Sequence, residues 1–149
     1  MASVSFNDIL ELMRLVVQSS TETHAALDGK TLNEYIEGRV VGPHLLDADS
    51  GSFKRPCIVL DLFSGSEEYS FALQASTVYV YAYDDQSMAQ ATDMYEAFNK
   101  VMQGTRLFDP SGNNPFAGYG HETSRPISGP NERLKTWFAR GVWIVRLAG

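Results

Sequence analysis

Apolar residues near the start of the chain recur every three or four places: Ile9, Leu12, Met13 and Val16, widened by Leu10 and Val17. That spacing predicts a helix from about Phe6 to Ser19 with one buried stripe. Ser5-Phe6-Asn7-Asp8 ahead of it is close to a capping box, and Asp8 and Glu11 suit the positive pole of the helix dipole. A second capping pattern, Thr31-Leu32-Asn33-Glu34, predicts a short helix through Ile36 that Gly38 stops. Arg39-Val40-Val41 reads as a short strand or extended arm, Gly42-Pro43 turns it, and the polar stretch from Asp47 to Arg55 reads as an exposed loop.

From Pro56 the pattern changes to that of extended chain. Cys57-Ile58-Val59-Leu60-Asp61-Leu62-Phe63 is apolar at nearly every place, which predicts a strand with both faces covered or nearly so. The run breaks at Ser64-Gly65-Ser66-Glu67-Glu68, and a longer strand follows from Ser70 to Tyr83, so the two form an antiparallel hairpin. Phe71, Leu73, Ala75, Thr77, Tyr79, Tyr81 and Tyr83 share one side of that strand. Such a tyrosine stripe is either a binding surface or core with hydroxyls at the rim, and core is the simpler expectation. Asp84 or Asp85 is placed to cap the next helix, whose stripe is Met88, Ala91, Met94, Tyr95, Phe98, Val101 and Met102, with Gly104 as its C-terminal cap.

Residues 105–131 are rich in Gly, Pro, Asn and Ser and read as loop, with a short strand from about His121 to Ile127. The final strand, Leu134 to Leu147, alternates. Trp137, Ala139, Gly141, Trp143, Val145 and Leu147 are expected to face the helices; Phe138, Arg140, Val142, Ile144 and Arg146 face the other way and are at least partly wet. The order predicts one α+β domain over residues 1–149: an antiparallel four-stranded or slightly larger sheet, two main helices on one face, a long β-hairpin and extended loops.

Composition narrows the functions. The chain has 149 residues and 44% hydrophobic content, enough for a real core, and no apolar run approaches the roughly 20 residues that span a bilayer, so no membrane role is expected. The first residues lack the basic start and apolar core of a signal peptide. The single cysteine, Cys57, excludes an internal disulfide framework and is expected to be a buried, inert thiol. Net charge is −6, with residues 1–99 at −10 and residues 100–149 at +4. An acidic chain has no global attraction for nucleic acid. The asymmetry fits two unlike faces for head-to-tail contacts, or an uneven fall of solvated charge.

No catalytic, cofactor or metal constellation stands out. His24 and His44 are expected to be solvated loop residues, since neither has a second ligand at a familiar metal spacing. There is no Walker-type phosphate loop and no dinucleotide fingerprint. His121-Glu122 is the nearest approach to an acid–base pair, with Asp61 or Glu96 as a further member, and nothing in the pattern brings them within hydrogen-bond reach. A small ligand-binding or adaptor domain using the tyrosine face is the other non-structural alternative.

The chain resembles the tail terminator (tail completion) proteins of long-tailed bacteriophages. The resemblance runs in order through the Ile9-Leu10-x-Leu12 helix, the Gly38-Arg39-Val40 arm, Arg55-Pro56-Cys57-Ile58-Val59, Val78-Tyr79-Val80-Tyr81-Ala82-Tyr83, the helix closing on Phe98-Asn99-Lys100-Val101-Met102, and the last aromatic strand. Related head-to-tail neck proteins share much of this layout, and the stretches 21–35 and 105–131 depart from the shorter family members. The resemblance implies a ring, usually a hexamer, that caps the last ring of tail-tube subunits and halts tube growth. It also implies docking to a neck or connector protein, genomic DNA passing along the lumen without specific binding, no cofactor and no active site. The expected location is the virion's head–tail junction, after assembly in the host cytoplasm. Glu67 and Glu68 at the hairpin and Arg133 and Lys135 near the last strand are the opposite charges expected across a subunit boundary.

Overall fold

The computed structural model describes residues 4–42, 54–68 and 73–148, with backbone alone for 63–68 and 73–74. Its first helix begins where the cap residue requires. Ser5 Oγ accepts from the Asp8 backbone N–H at 3.3 Å while the Asp8 carboxylate accepts from the Ser5 N–H at 2.8 Å, a complete capping box. Helix α1 (Phe6–Ser19) buries Ile9, Leu12, Met13, Val16 and Val17, the stripe read from spacing. The short strands β1 (Thr23–His24) and β2 (Lys30–Thr31) pair antiparallel around a 3-10 turn at Ala25–Leu27. Thr31 and Glu34 then cap each other's backbone and open α2 (Leu32–Tyr35).

The main sheet contains β3 (Val40–Val41), β4 (Cys57–Glu68), β5 (Leu73–Asp84), β6 (Ala117–Asn131) and β7 (Thr136–Ala148). Their spatial order is β3-β4-β5-β7-β6, with α3 (Met88–Met102) crossing between β5 and β6. The sheet is therefore five-stranded and not wholly antiparallel: β3 runs parallel to β4, with Val40 opposite Ile58 and Val41 opposite Val59. A long connection separates the two strands, and only such a connection lets them run in the same direction. Arg39 fixes the junction. Its backbone carbonyl accepts from the Ile58 N–H at 2.9 Å, and its Nε donates to the Pro56 carbonyl at 3.1 Å. Arg14 on α1 donates from Nη2 to the Val40 carbonyl at 2.7 Å, tying helix to arm. Gly38-Arg39-Val40 and Pro56-Cys57-Ile58, far apart in sequence, thus meet.

Four local expectations are corrected. Residues 64–68 are not a turn but the continuation of β4, with a register shift between Leu62 and Ser64 and Gly65 opposite Ser76. Residues 117–131 are not a loop with a short strand but one 15-residue strand. Its prolines, Pro126 and Pro130, are tolerated because β6 is an edge strand whose outer side needs no donors, and register shifts around Ser124 absorb the irregularity. The cap of α3 is Ser87, whose Oγ accepts from the Gln90 N–H at 3.0 Å, and not Asp84 or Asp85. His24 is buried, with Nε2 lacking a hydrogen-bond partner, and not solvated. His44, the Gly42-Pro43 turn, the Asp47–Phe53 part of the expected loop and the Ser70–Ala72 start of the second long strand lie outside the described residues.

Helices α1 and α3 cover one face of the sheet, where Ile58, Val80, Ala82, Trp143 and Val145 meet Leu12, Met94 and Phe98. Each Val, Leu, Ile, Met or Phe side chain among them removed from water contributes about 1.5–3 kcal/mol. One polar node sits in this layer. Trp143 Nε1 donates to the Tyr95 hydroxyl at 2.9 Å, that hydroxyl donates to Glu122 Oε2, and Asn99 Nδ2 donates to the same oxygen at 3.0 Å. Burial, reinforced by the Glu122 carboxylate, pushes the Tyr95 hydroxyl well above the ordinary tyrosine range.

Candidate assembly surface

Strand alternation divides the chemistry of this chain between two faces. On β5, Val78, Val80 and Ala82 point into the helix-covered core, so Tyr79, Tyr81 and Tyr83 point the other way. The tyrosine stripe therefore does not pack under the helices. Tyr83 is buried in a small second cluster with Cys57, Val59 and Leu134, while Tyr81 packs against its edge and Tyr79 is half-buried. The Tyr81 and Tyr83 rings stack 5.7 Å apart, and Phe138 lies 6.3 Å from Tyr81. On β7 the expected alternation holds: Ala139, Gly141, Trp143, Val145 and Leu147 are buried, and Phe138, Arg140, Val142, Ile144 and Arg146 are half-exposed. Trp137, with the same parity as the buried set, sits at the sheet end and is exposed.

Arg140 is held in place on the open face. Its guanidinium carbon lies 5.0 Å from the Tyr79 ring centroid, a cation–π geometry, and its Nε is buried without a hydrogen-bond partner. In register it stands between Tyr81 of β5 and Ile127 of β6. Pattern reading missed it because spacing shows which residues share a face, not which rings a cation will stack on.

The four charges expected at a subunit boundary fall at opposite ends of the sheet. Glu67 and Glu68 occupy the last paired positions of β4, with Glu68 opposite Leu73 and Leu73 opposite Ala148. Arg133 and Lys135 are exposed in the turn between β6 and β7, near the pairing of Trp137 with Asp84. At about 3.3 Å per strand residue the two ends stand roughly 35 Å apart. Opposition within one copy is thus excluded by distance. Leu134, between the two basic residues, is buried against Cys57, Val59 and Tyr83 and anchors the turn.

His121 and Glu122 are adjacent on β6 and so point to opposite faces. His121 lies on the open side with Nε2 3.5 Å from Arg146 Nη1, whereas Glu122 faces α3 and binds Tyr95 and Asn99. Asp61 shares the open side, three strands away on β4, opposite Tyr79. Glu96 lies on α3 and lines, with Glu122 and Lys100, a recess of about 290 Å3. The sheet therefore separates His121 and Asp61 on one side from Glu122 and Glu96 on the other. Among the described residues no group of three or more His, Cys, Asp or Glu could hold a metal ion, and no helix is long and apolar enough to cross a membrane.

On the helical side, Glu22, Asp93 and Glu96 line a recess of about 280 Å3 with Lys100 as its only ordinary cation. A more apolar groove of about 410 Å3 runs between the end of α1 and the Thr105–Pro110 loop. Arg133, Lys135, Arg140 and Arg146 lie on or beside β7, and Glu22, Asp93 and Glu96 meet in the recess beside α3.

No protein-family model matches this chain, and no curated protein matches it. Among solved structures it is similar to a chain in the virion of a native gene transfer agent particle, with a TM-score of 0.61. The likeness is one of fold. It extends over 99% of this chain and 100% of that one, at 13% identity.

Proposed function

We propose that this chain is a structural virion protein that assembles as a ring, six copies by the tail-terminator resemblance, at the head-proximal end of a phage tail. In this role it stops tail-tube polymerisation and joins the tail to the neck or connector protein. Genomic DNA passes through its lumen without specific binding, and neither catalysis nor a cofactor is involved. The observation that supports the reading most is the end-to-end fold correspondence with a gene transfer agent virion chain, covering 99% of one and 100% of the other. The ordered resemblance to tail terminators supplies the position within the particle. A ring needs two unlike, complementary surfaces per subunit, and the chain carries an aromatic, cationic sheet face and an acidic helical face.

The half-exposed Tyr79 and Tyr81 favour a second reading, a small non-enzymatic binding domain that uses the open sheet face. Native mass spectrometry across concentrations, with negative-stain images, separates the two. A six-fold ring that caps purified tail tubes supports the first. A stable dimer that ignores tubes overturns it. Tight binding of duplex DNA at moderate salt would contradict passage without sticking.

A further inference from the structure

A sheet face left to water normally carries polar side chains on its outward positions. Here the outward positions of β7 are Phe138, Arg140, Val142, Ile144 and Arg146, and the neighbouring strand adds Ile127, 50% exposed. The face thus carries an apolar band that runs across strands beside the polar Asp61, His121 and Arg146, and it bears one cation fixed over an aromatic ring. We propose that this open face is where the helical face of a second copy of the chain docks, head to tail, with Arg140 directed at the recess lined by Glu22, Asp93 and Glu96.

Charge complementarity selects the occupant. Among the described residues Arg140 forms no ion pair within its own chain. The acidic recess on the far side of the same chain, beside α3, holds three carboxylates against one lysine. Two complementary surfaces on opposite sides of one molecule generate heterologous contacts, which close into rings when the rotation allows. The area is of the right order. Four strands spaced about 4.8 Å apart and roughly ten residues long present roughly 600 Å2, against about 800 Å2 per partner in a standard interface. Nucleic acid is the poorer occupant, because Val142, Ile144 and Ile127 offer nothing to a phosphate backbone.

The assignment deepens the ring reading and rests on it for the choice of a head-to-tail over a two-fold contact. Its test is site-directed cross-linking between two variants, Ile127→Cys and Glu96→Cys, with a short bismaleimide; Cys57, 1% exposed, does not compete. Both positions are exposed, so both variants should fold. A cross-linked dimer is expected when the variants are mixed and not from either alone. Arg140→Glu should weaken self-association about tenfold, and Glu96→Arg in the same chain should restore it. Should Arg140→Glu not fold, Ile127→Glu is expected to weaken association in the same way. Cross-links between two Ile127→Cys copies, or none at any concentration, overturn the assignment, as does protection of Ile127→Cys by duplex DNA. A ring seen by native mass spectrometry without the mixed cross-link rejects this face and leaves the ring reading standing. The mixed cross-link in open chains that ignore tail tubes does the reverse.

Discussion

Gly141 is the space that the Tyr95 hydroxyl occupies: a Cβ built on Gly141 would lie 1.6 Å from that oxygen and 2.3 Å from the ring carbon bearing it. The glycine on β7 thus lets α3 bring its tyrosine against the sheet, where the hydroxyl accepts from Trp143 and donates to Glu122. Gly141→Ala should cost about 2–4 kcal/mol, from overpacking and from the loss of the Trp143 acceptor. In a Tyr95→Phe background the same substitution should cost at least about 1 kcal/mol less, since part of the clash is gone. Urea denaturation of the four proteins in this cycle measures both numbers; strict additivity would show that the contact is not what constrains position 141.

Tyr35 and Asp84 set an alkaline limit on stability. The Tyr35 hydroxyl donates to Asp84 Oδ2 at 2.5 Å, and Asp84, 1% exposed, also accepts from the Gln86 N–H at 2.7 Å. Burial, together with the Asp84 carboxylate, pushes the Tyr35 hydroxyl from 10.0 up to about 12. Below pH 10 both folded and unfolded chains keep this proton, and the contribution is complete. Between pH 10 and about 12 the unfolded chain releases it first, so stability falls as pH rises. Burial raises the Tyr83 and Tyr95 hydroxyls too, in the same direction. Tyr35→Phe should therefore cost about 1–3 kcal/mol at neutral pH, by leaving an Asp84 oxygen unpaired. It should also make the decline above pH 10 shallower by up to one proton. Denaturation midpoints from pH 7 to 11.5 check both, and an unchanged alkaline slope would remove Tyr35 from the account.

Cys57 should behave as an inert thiol. It is buried in the cluster on the open face beside Val59, Tyr83 and Leu134, and burial pushes its thiol up to about 12. The thiolate is the reactive form, so both access and ionisation are suppressed. Labelling with a thiol reagent at pH 8 should run at least about a hundredfold slower in the native protein than in urea. Rapid native labelling would mean that this end of the sheet opens.

The helices were legible because their starts are written in side-chain chemistry. Ser5 with Asp8 and Thr31 with Glu34 are reciprocal caps within four residues of each other, and the apolar spacing behind them is local. The start of α3 was less so, because Asp84, Asp85 and Ser87 are all competent caps and only burial of Asp84 against Tyr35 removes it from the choice. Strand β6 was hidden for a different reason. Its glycines and prolines read as loop, yet an edge strand supported by β7 on one side tolerates both, and Gly118 is needed because a Cβ there would meet the Arg146 carbonyl oxygen at 1.8 Å. Alternation gave the two sides of β5 correctly. It could not say which side the helices would take: the tyrosines lie on the side away from them, where Tyr83 is buried as core in a second, smaller cluster and Tyr79 and Tyr81 are half-exposed. The same limit hid Arg140 and the acidic recess, which arise only when distant strands and helices are brought together.

The last prediction concerns the two charged ends of the sheet. Glu67 and Glu68 lie at the hairpin end, and Arg133 and Lys135 at the β6–β7 turn, roughly 35 Å away by strand rise. Within one copy they do not meet, so any favourable pairing between them is intermolecular and is screened by salt. Reversing Glu67 and Glu68 to Lys should impair ring assembly, with the melting temperature of the monomer as the control for folding. Adding Arg133→Glu and Lys135→Glu to the same chain should restore assembly. Sedimentation velocity at 50 and 300 mM salt, conditions of about 14 and 6 Å screening length, reads the effect. An unchanged oligomer in the Glu67/Glu68 reversal would remove these ends from the interface, and the cross-link between Ile127→Cys and Glu96→Cys would then carry the assembly on the sheet and helix faces alone.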